Sequence, residues 1–442
     1  MRIAILALAV LGLAAGCGGE APAPAGAVVP AAAADVDPAL DRVVEDWALP
    51  AMLPGSALPD LVAVDGRKLL LAWTNSQAGR RHILQFSSYD VAAARWETAP
   101  TTIAVGNSMF VNWADTPHVM ATPDGALWAH WLQKNGTAPY GYDVMLTTSH
   151  DGGGRWSGPV SPHDDGTGTE HGFVSMWPRA DGGLGIAWLD GRKTAGAWSA
   201  SEGHAGDEDH AAHEAHVSAG AMTLRAAGFD GALRRGADVE VDASVCDCCQ
   251  TSAAVTARGP LLVYRGRTEG EVRDIMATRL DGDAWTAPEP VHADGWVMAA
   301  CPVNGPDVDA EGEDAVVAWY TAAAGDPEVR VARSADAGDS FSAPVVVDAG
   351  EAVQGRVAVA LSGSQAWVLW LREGAEGQTL WLSRRSPDLA TEYQRLQVAA
   401  LAGRGRGTGF PQMAVAGGVA HVVWTDVVDG VPGLRGARVV AR

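Results

Sequence analysis

Beyond its first residues the chain has no long apolar run. The stretch 3–13, behind Arg2, is too short to span a bilayer as a permanent helix. The rest is therefore expected to be soluble. Positive charge is also scarce. Thirty-two Lys and Arg stand against 53 Asp and Glu, a net charge of −21. That balance argues against nucleic acid and against an anionic membrane surface as partners. Cysteine is rare too: beyond Cys17 there are only Cys246, Cys248, Cys249 and Cys301. Their C-x-C-C spacing lacks the paired C-x-x-C pattern of a structural zinc knuckle.

The start reads as an export signal. Leu13-Ala14-Ala15-Gly16-Cys17 resembles a lipobox. Residues 1–16 are then a signal peptide, and Cys17 becomes the lipidated first residue of the mature chain. Each buried acyl CH₂ contributes ~0.8 kcal/mol, so several chains would hold the protein to a membrane of the cell envelope, periplasmic or surface-exposed. Residues 17–40, rich in Gly, Ala and Pro, read as a flexible tether. Residues 41–442 are the body.

What is plentiful is tryptophan, with 17, and glycine, with 53. Both recur at intervals. A unit of an apolar strand, a Gly/Asp turn and a second strand ending in an aromatic returns along the chain. Its aromatics are Trp73, Trp131, Trp188, Tyr264, Trp319, Trp370 and Trp424, at spacings of 58, 57, 76, 55, 51 and 54. A third and a fourth strand follow each pair, with alternating apolar positions and turn residues between them. Four short strands per unit make a blade. The pattern predicts an all-β fold, a β-propeller of seven repeat units, with six blades as the alternative. The seventh unit ends at its third strand, so residues 43–49 are expected to supply the fourth and close the ring.

Two turns carry a family resemblance. Ser149, Asp151, Gly153 and Trp156 fit the pattern S-x-D-x-G-x-x-W, and Ser334, Asp336, Gly338 and Phe341 repeat it with Phe for Trp. Ser88, Asp90 and Trp96 form a degenerate third copy. Both full copies follow third strands. This resembles the Asp-box (BNR) repeat of sialidase-like propellers. The resemblance implies a structural role for these turns, away from any active site. Asp accepts turn N–H groups, Gly allows positive φ and the aromatic plugs the blade.

The repeat also predicts which loops share a face. Residues leading into each first strand and leaving each second strand should meet at one mouth of the axial channel. The lead-ins hold Trp113, Asp115, His118, Glu170, His171, the cysteine cluster, Gln354, Arg356, Phe410 and Gln412. The exits add Asp190, Arg192, Arg265, Arg267 and Arg372, among others. Arg192, Arg265, Arg267, Arg356 and Arg372 together suggest an anion or carboxylate site, unless neighbouring acids pair with them. An insertion at about 191–220 reaches the same face. It carries His210, His213, Glu214 and His216, and is either a solvated loop or a source of metal ligands.

Cys246, Cys248 and Cys249 lead into one blade and Cys301 into the next, so the four are expected to lie close together. Two readings stand. In the first they form disulfides, as an oxidising compartment favours. A bridge across that loop would contribute ~4 kcal/mol in the entropy model. In the second, thiolates join His171 or the inserted His210 and His213 around a metal, and such ligands favour copper(I) or zinc.

The sialidase resemblance implies three Arg on a sugar carboxylate, a Tyr–Glu nucleophile pair and an Asp acid. Tyr264 lies beside Arg265 and Arg267, with Glu170 and Asp190 as acid and base candidates, although Tyr264 also occupies the repeat's packing position. The R-I-P signature of that family is absent. Three functions remain open: a propeller that binds a ligand such as an anionic glycan or an envelope protein at its central face, an exo-sialidase-type hydrolase, and a copper- or zinc-handling propeller.

Overall fold

A computed structural model describes residues 40–77, 81–195, 220–363 and 365–442. Cys17 and the inserted His210, His213 and His216 lie outside the described residues. Regular helix is confined, among the described residues, to 3₁₀ turns such as Arg192–Thr194 and Gly405–Thr408. None of the helices there is long and apolar enough to cross a membrane.

The strands form seven antiparallel sheets, and the fold is a seven-bladed β-propeller of four-stranded blades. The six-bladed alternative is excluded. Blade 1 starts at the inner strand Ser56–Val64, blade 2 at Val119–Ala121 and blade 3 at His171–Pro178. Blade 4 starts at Ser252–Thr256, blade 5 at Asp307–Glu311, blade 6 at Val353–Ser362 and blade 7 at Gln412–Ala416. Blade 2 departs from the repeat, because its fourth strand shrinks to the single bridge between Leu146 and Val160. The ring closes as the repeat count requires. Arg42–Asp46 pairs with Val431–Ala441, from Arg42 opposite Ala441 to Asp46 opposite Ala437. The closing strand stops before the expected residue 49, because the Trp47 ring turns inward against Tyr89, Trp96 and His421.

The core is divided like the ring. Seven apolar clusters fill the seven blade interfaces, and each contains one aromatic of the repeat. Trp319 packs from blade 5 onto Leu261 and Val263 of blade 4, for example, and Trp370 from blade 6 onto Val316 of blade 5. The regular spacing of these aromatics thus reports one buried wedge per interface.

The two Ser-x-Asp-x-Gly turns have the same wiring. Asp151 Oδ1 accepts from the Ser149 hydroxyl at 2.9 Å and the Arg155 amide at 2.8 Å. Asp336 Oδ1 accepts from Ser334 at 2.8 Å and the Ser340 amide at 2.9 Å. Gly153 and Gly338 both sit at φ +90°, where a side chain is strained. A Cβ at either would also strike the preceding blade, 2.2 Å from Phe86 or 2.5 Å from Leu261.

Trp319 is fully buried and wedged between two blades. Trp319→Ala is expected to lower unfolding free energy by about 3–5 kcal/mol. Chemical denaturation checks this, and a loss under 1 kcal/mol would show that the interface does not depend on the wedge.

Candidate active site at the axial mouth

The inner strands of all seven blades line one axial cavity of about 330 Å³. Inner strands of neighbouring blades splay apart and do not pair with one another along this wall. Polar side chains bridge them instead. Asp60 of blade 1 accepts the Val119 amide at 2.7 Å, and Asp115 of blade 2 accepts the Phe173 amide at 2.9 Å. Thr251 of blade 4 donates back to the Phe173 carbonyl at 2.8 Å. Gln250 accepts the Gly305 amide at 2.9 Å, and Asn304 of blade 5 accepts the Arg356 amide at 2.8 Å. Arg356 donates to the Gly409 carbonyl at 2.8 Å, and Thr425 of blade 7 accepts the Leu58 amide at 3.1 Å. Leu58, Phe173 and Arg356 hold positive φ at irregular inner-strand starts, which turns their amides toward these acceptors. The lead-in residues therefore do converge on one mouth.

The mouth is capped by an apolar layer in which Trp113, Phe173, Phe410, Val303 and Cys248 meet. Trp113 stacks on Phe410 with centroids 5.8 Å apart. The guanidinium carbon of Arg356 lies 5.0 Å from the Trp113 ring, and that of Arg406 lies 5.6 Å away. Trp113 remains partly exposed and Arg406 is exposed. Among the described residues the Arg406 guanidinium has no carboxylate partner.

Below the cap is a proton-holding group. The Tyr142 hydroxyl lies 2.5 Å from Glu170 Oε1 and 3.1 Å from Asp115 Oδ2. A phenol carries one hydrogen, so it can donate to only one carboxylate. The other contact is satisfied when that carboxyl is protonated and donates to the phenol oxygen. Burial pushes Glu170 up to about 8, aided by the charges of Asp115 and Asp247 and opposed by the phenol. Burial likewise pushes Asp115 up to about 7. His118 Nδ1 lies 2.9 Å from Asp60, and the carboxylates of Asp60, Asp115 and Asp307 hold its pKa above the usual value although burial opposes them.

The expected catalytic trio of Tyr264, Glu170 and Asp190 does not assemble. The fully buried Tyr264 donates to Asp242 at 2.6 Å inside a blade interface, the packing role its repeat position requires. Asp190 is fully buried and gripped by Arg192 at 2.8 and 2.7 Å, with the Trp188 indole N–H at 2.8 Å. Glu170 alone sits beside a phenol, that of Tyr142. Tyr142 was not singled out because it starts a third strand. Third-strand starts share the mouth with second-strand exits, and that rule would have found it.

The five arginines are spent on the fold. Arg192 also meets Asp238 at 3.0 Å, and Arg267 meets Asp247 and Glu271 at 2.8 Å each. Arg372 meets Asp348 at 2.7 Å. Arg265 and Arg356 are buried and donate to backbone carbonyls, Arg265 to those of Asn304, Arg273 and Tyr320. In an acidic chain each of these five guanidiniums finds a partner nearby, and a buried one must. They form no common anion site.

The cysteines form two disulfides. Cys246 pairs with Cys249, and Cys248 pairs with Cys301 across blades 4 and 5. No thiolate of the four is left for a metal. His171 is turned away from them and stacks on His163 between Asp143 and Asp165.

No family model matches the sequence, and no curated protein matches it. Solved structures do. A Dyadobacter fermentans protein of unknown function is 14% identical, covering 92% of this chain and 100% of its own, with TM-score 0.51. The polysaccharide lyase Uly1 is 8% identical over 90% of this chain and 92% of its own, TM-score 0.49. The GH93 α-L-arabinofuranosidase of Fusarium graminearum is 10% identical over 90% and 97%, TM-score 0.44. At these identities the likeness concerns the fold alone.

Two outcomes test this description. The intact mass of the chain should fall four hydrogens below that of its reduced form, as the two disulfides require. The second concerns pH. Glu170 and Asp115 keep their protons to about 8 and 7, against ordinary values of 4.5 and 3.8. Between those limits the folded state binds more protons than the unfolded state. Their contribution to stability is complete below about pH 4 and is lost as pH rises through 7 to 8. Glu170→Gln mimics the protonated acid, so the loss of stability between pH 5 and pH 9 should be smaller in the variant. An identical loss in parent and variant would contradict the assignment.

Proposed function

We propose that this chain is a lipid-anchored envelope protein, a sialidase-like propeller that binds an anionic glycan at its axial mouth. The observation that carries the reading is the pairing of Trp113 with Arg406. A partly exposed indole, stacked on Phe410 and with the Arg406 guanidinium over its ring, offers an apolar surface against which a pyranose ring packs once the exposed guanidinium swings onto the ligand. Beside it stands an exposed guanidinium with no carboxylate partner among the described residues, in a chain whose other mouth arginines are all engaged. A guanidinium of that kind matches a sugar carboxylate or sulfate. The lipobox-like start and the two Ser-x-Asp-x-Gly turns support the envelope and family parts of the reading.

Hydrolysis is a second reading with one observation in its favour. Glu170 is partly exposed and keeps its proton near neutral pH, as a general acid must. The sialidase-type nucleophile has no reachable counterpart in this pair, because Tyr142 is fully buried.

Binding of sialylated, uronic and sulfated oligosaccharides on a glycan array tests the proposal. Arg406→Ala is expected to weaken the best acidic ligand about tenfold to a hundredfold, the worth of a charge-assisted contact. Trp113→Ala should weaken acidic and neutral analogues alike. Equal binding by parent and Arg406→Ala, with unchanged thermal unfolding, would overturn it.

A further inference from the structure

One group of metal-ligating side chains has no part in the mouth. It lies between blades 2 and 3, on the other side of the backbone that carries Tyr142 and Glu170. Asp143 follows Tyr142 on the strand Tyr142–Ser149. His171 follows Glu170 at the head of the next inner strand, and His163 comes from the loop between them. Neighbouring residues on an extended chain point opposite ways. Tyr142 and Glu170 therefore face Asp115, while Asp143 and His171 face His163.

The two imidazoles stack in parallel, with centroids 3.8 Å apart and planes 7° apart. His171 is fully buried and His163 nearly so, at 7% exposure. Asp165 stands on one side of both rings, 3.1 Å from His171 Nε2 and 3.4 Å from His163 Nδ1. A carboxylate only accepts, so these two nitrogens carry the hydrogens. The lone pairs then fall on His163 Nε2 and His171 Nδ1. Both look toward Asp143, at 3.9 and 3.6 Å from Oδ1. Between them stands no hydrogen to share. Among the described residues His171 Nδ1 has no hydrogen-bond partner in spite of its burial. His163 Nε2 has only a long 3.4 Å contact from the Val144 amide. Two imidazole lone pairs and a carboxylate, within 4.8 Å of one another, are costly to bury unless a cation lies among them.

We propose that His163 Nε2, His171 Nδ1 and the Asp143 carboxylate bind one divalent transition-metal ion, with zinc the best match. Asp165 is the carboxylate that orients both rings, the arrangement expected behind metal-bound histidines. Asn135 Nδ2 donates to Asp143 Oδ1 at 2.7 Å and so fixes the carboxylate, whose Oδ2 is left for a metal. The Asp143 side chain is 34% exposed, so water can reach the fourth position of a tetrahedral set. The neighbouring trio of Asp165, His171 and Asp190 is different. The Arg192 guanidinium already fills it, 2.7 Å from Asp190 and 3.5 Å from Asp165. The proposed metal sits one residue behind both members of the Tyr142–Glu170 pair and would fix the bridge between them.

The test is titration of the metal-free, full-length chain with Co²⁺ and then Zn²⁺. His204, His210, His213 and His216 are a competing source of ligands, so a variant with all four changed to Ala is titrated alongside. The parent and this variant should each take up one equivalent of Co²⁺, with the visible absorption of a four-coordinate site that Zn²⁺ displaces. His171→Ala should abolish it, and Asp165→Asn should weaken it about 10–100-fold. Asp143→Asn changes a partly exposed residue, and so reads out binding even if the histidine variant fails to fold. It should weaken uptake at least tenfold. Unchanged uptake in Asp143→Asn would overturn the site, as would loss of uptake confined to the four-histidine variant. No stoichiometric uptake by the parent would overturn it too.

Discussion

A ring of hydrogen bonds around the axis is the constraint on which the rest of this propeller depends. Strands within a blade satisfy one another, but adjacent inner strands cannot pair across the axis. Their facing amides would be buried without partners, at a cost comparable to a lost hydrogen bond each. The chain solves this with one side chain per interface: Asp60, Asp115, Thr251, Gln250, Asn304, Arg356 and Thr425. Asp307 adds a second stitch, to the Val359 amide at 2.7 Å. Asp60, Asp115, Gln250, Thr251 and Asp307 also line the cavity, so part of the wall that holds the blades together is also the wall a ligand would meet.

This ring explains the electrostatics of the mouth. Carboxylates placed to accept amides are placed where water is scarce, and burial then favours their neutral forms. Asp115 serves both purposes, accepting the Phe173 amide with one oxygen and meeting the Tyr142 phenol with the other. The excess of acid over base acts differently outside the axis. There the acids capture arginines, as Asp348 captures Arg372 and Asp190 captures Arg192. Arg406 escapes because Trp113, not an acid, is its neighbour.

Cysteine and histidine divide their work in the same way. The two disulfides close the thiol chemistry of the mouth, and Cys248–Cys301 staples blade 4 to blade 5. The imidazoles of His163 and His171 turn toward Asp143 on the opposite side of the blade 2 backbone. A reading from the sequence that joined His171 to the cysteines placed the residue at the correct blade. It could not tell which way the ring turns, since one residue of register moves a side chain to the opposite face.

The sequence by itself determined a propeller of four-stranded blades, and the structure chose seven blades over six. Seven aromatics at near-even spacing mark seven interfaces, because each interface needs one large wedge. The missing fourth strand of the seventh unit demanded an N-terminal strand, and Arg42–Asp46 supplies it. The sequence also determined which loops meet at the mouth, because that follows from strand phase alone. The tertiary structure decided what each side chain does there. Tyr264 and Tyr142 are equally aromatic in sequence, but only Tyr142 lies next to Glu170. Arg265 and Arg406 are equally basic, but only Arg406 lacks an acceptor among the described residues. Those choices rest on orientation and burial across blades far apart in the chain. They are made by distances of a few ångströms, which composition and periodicity do not encode.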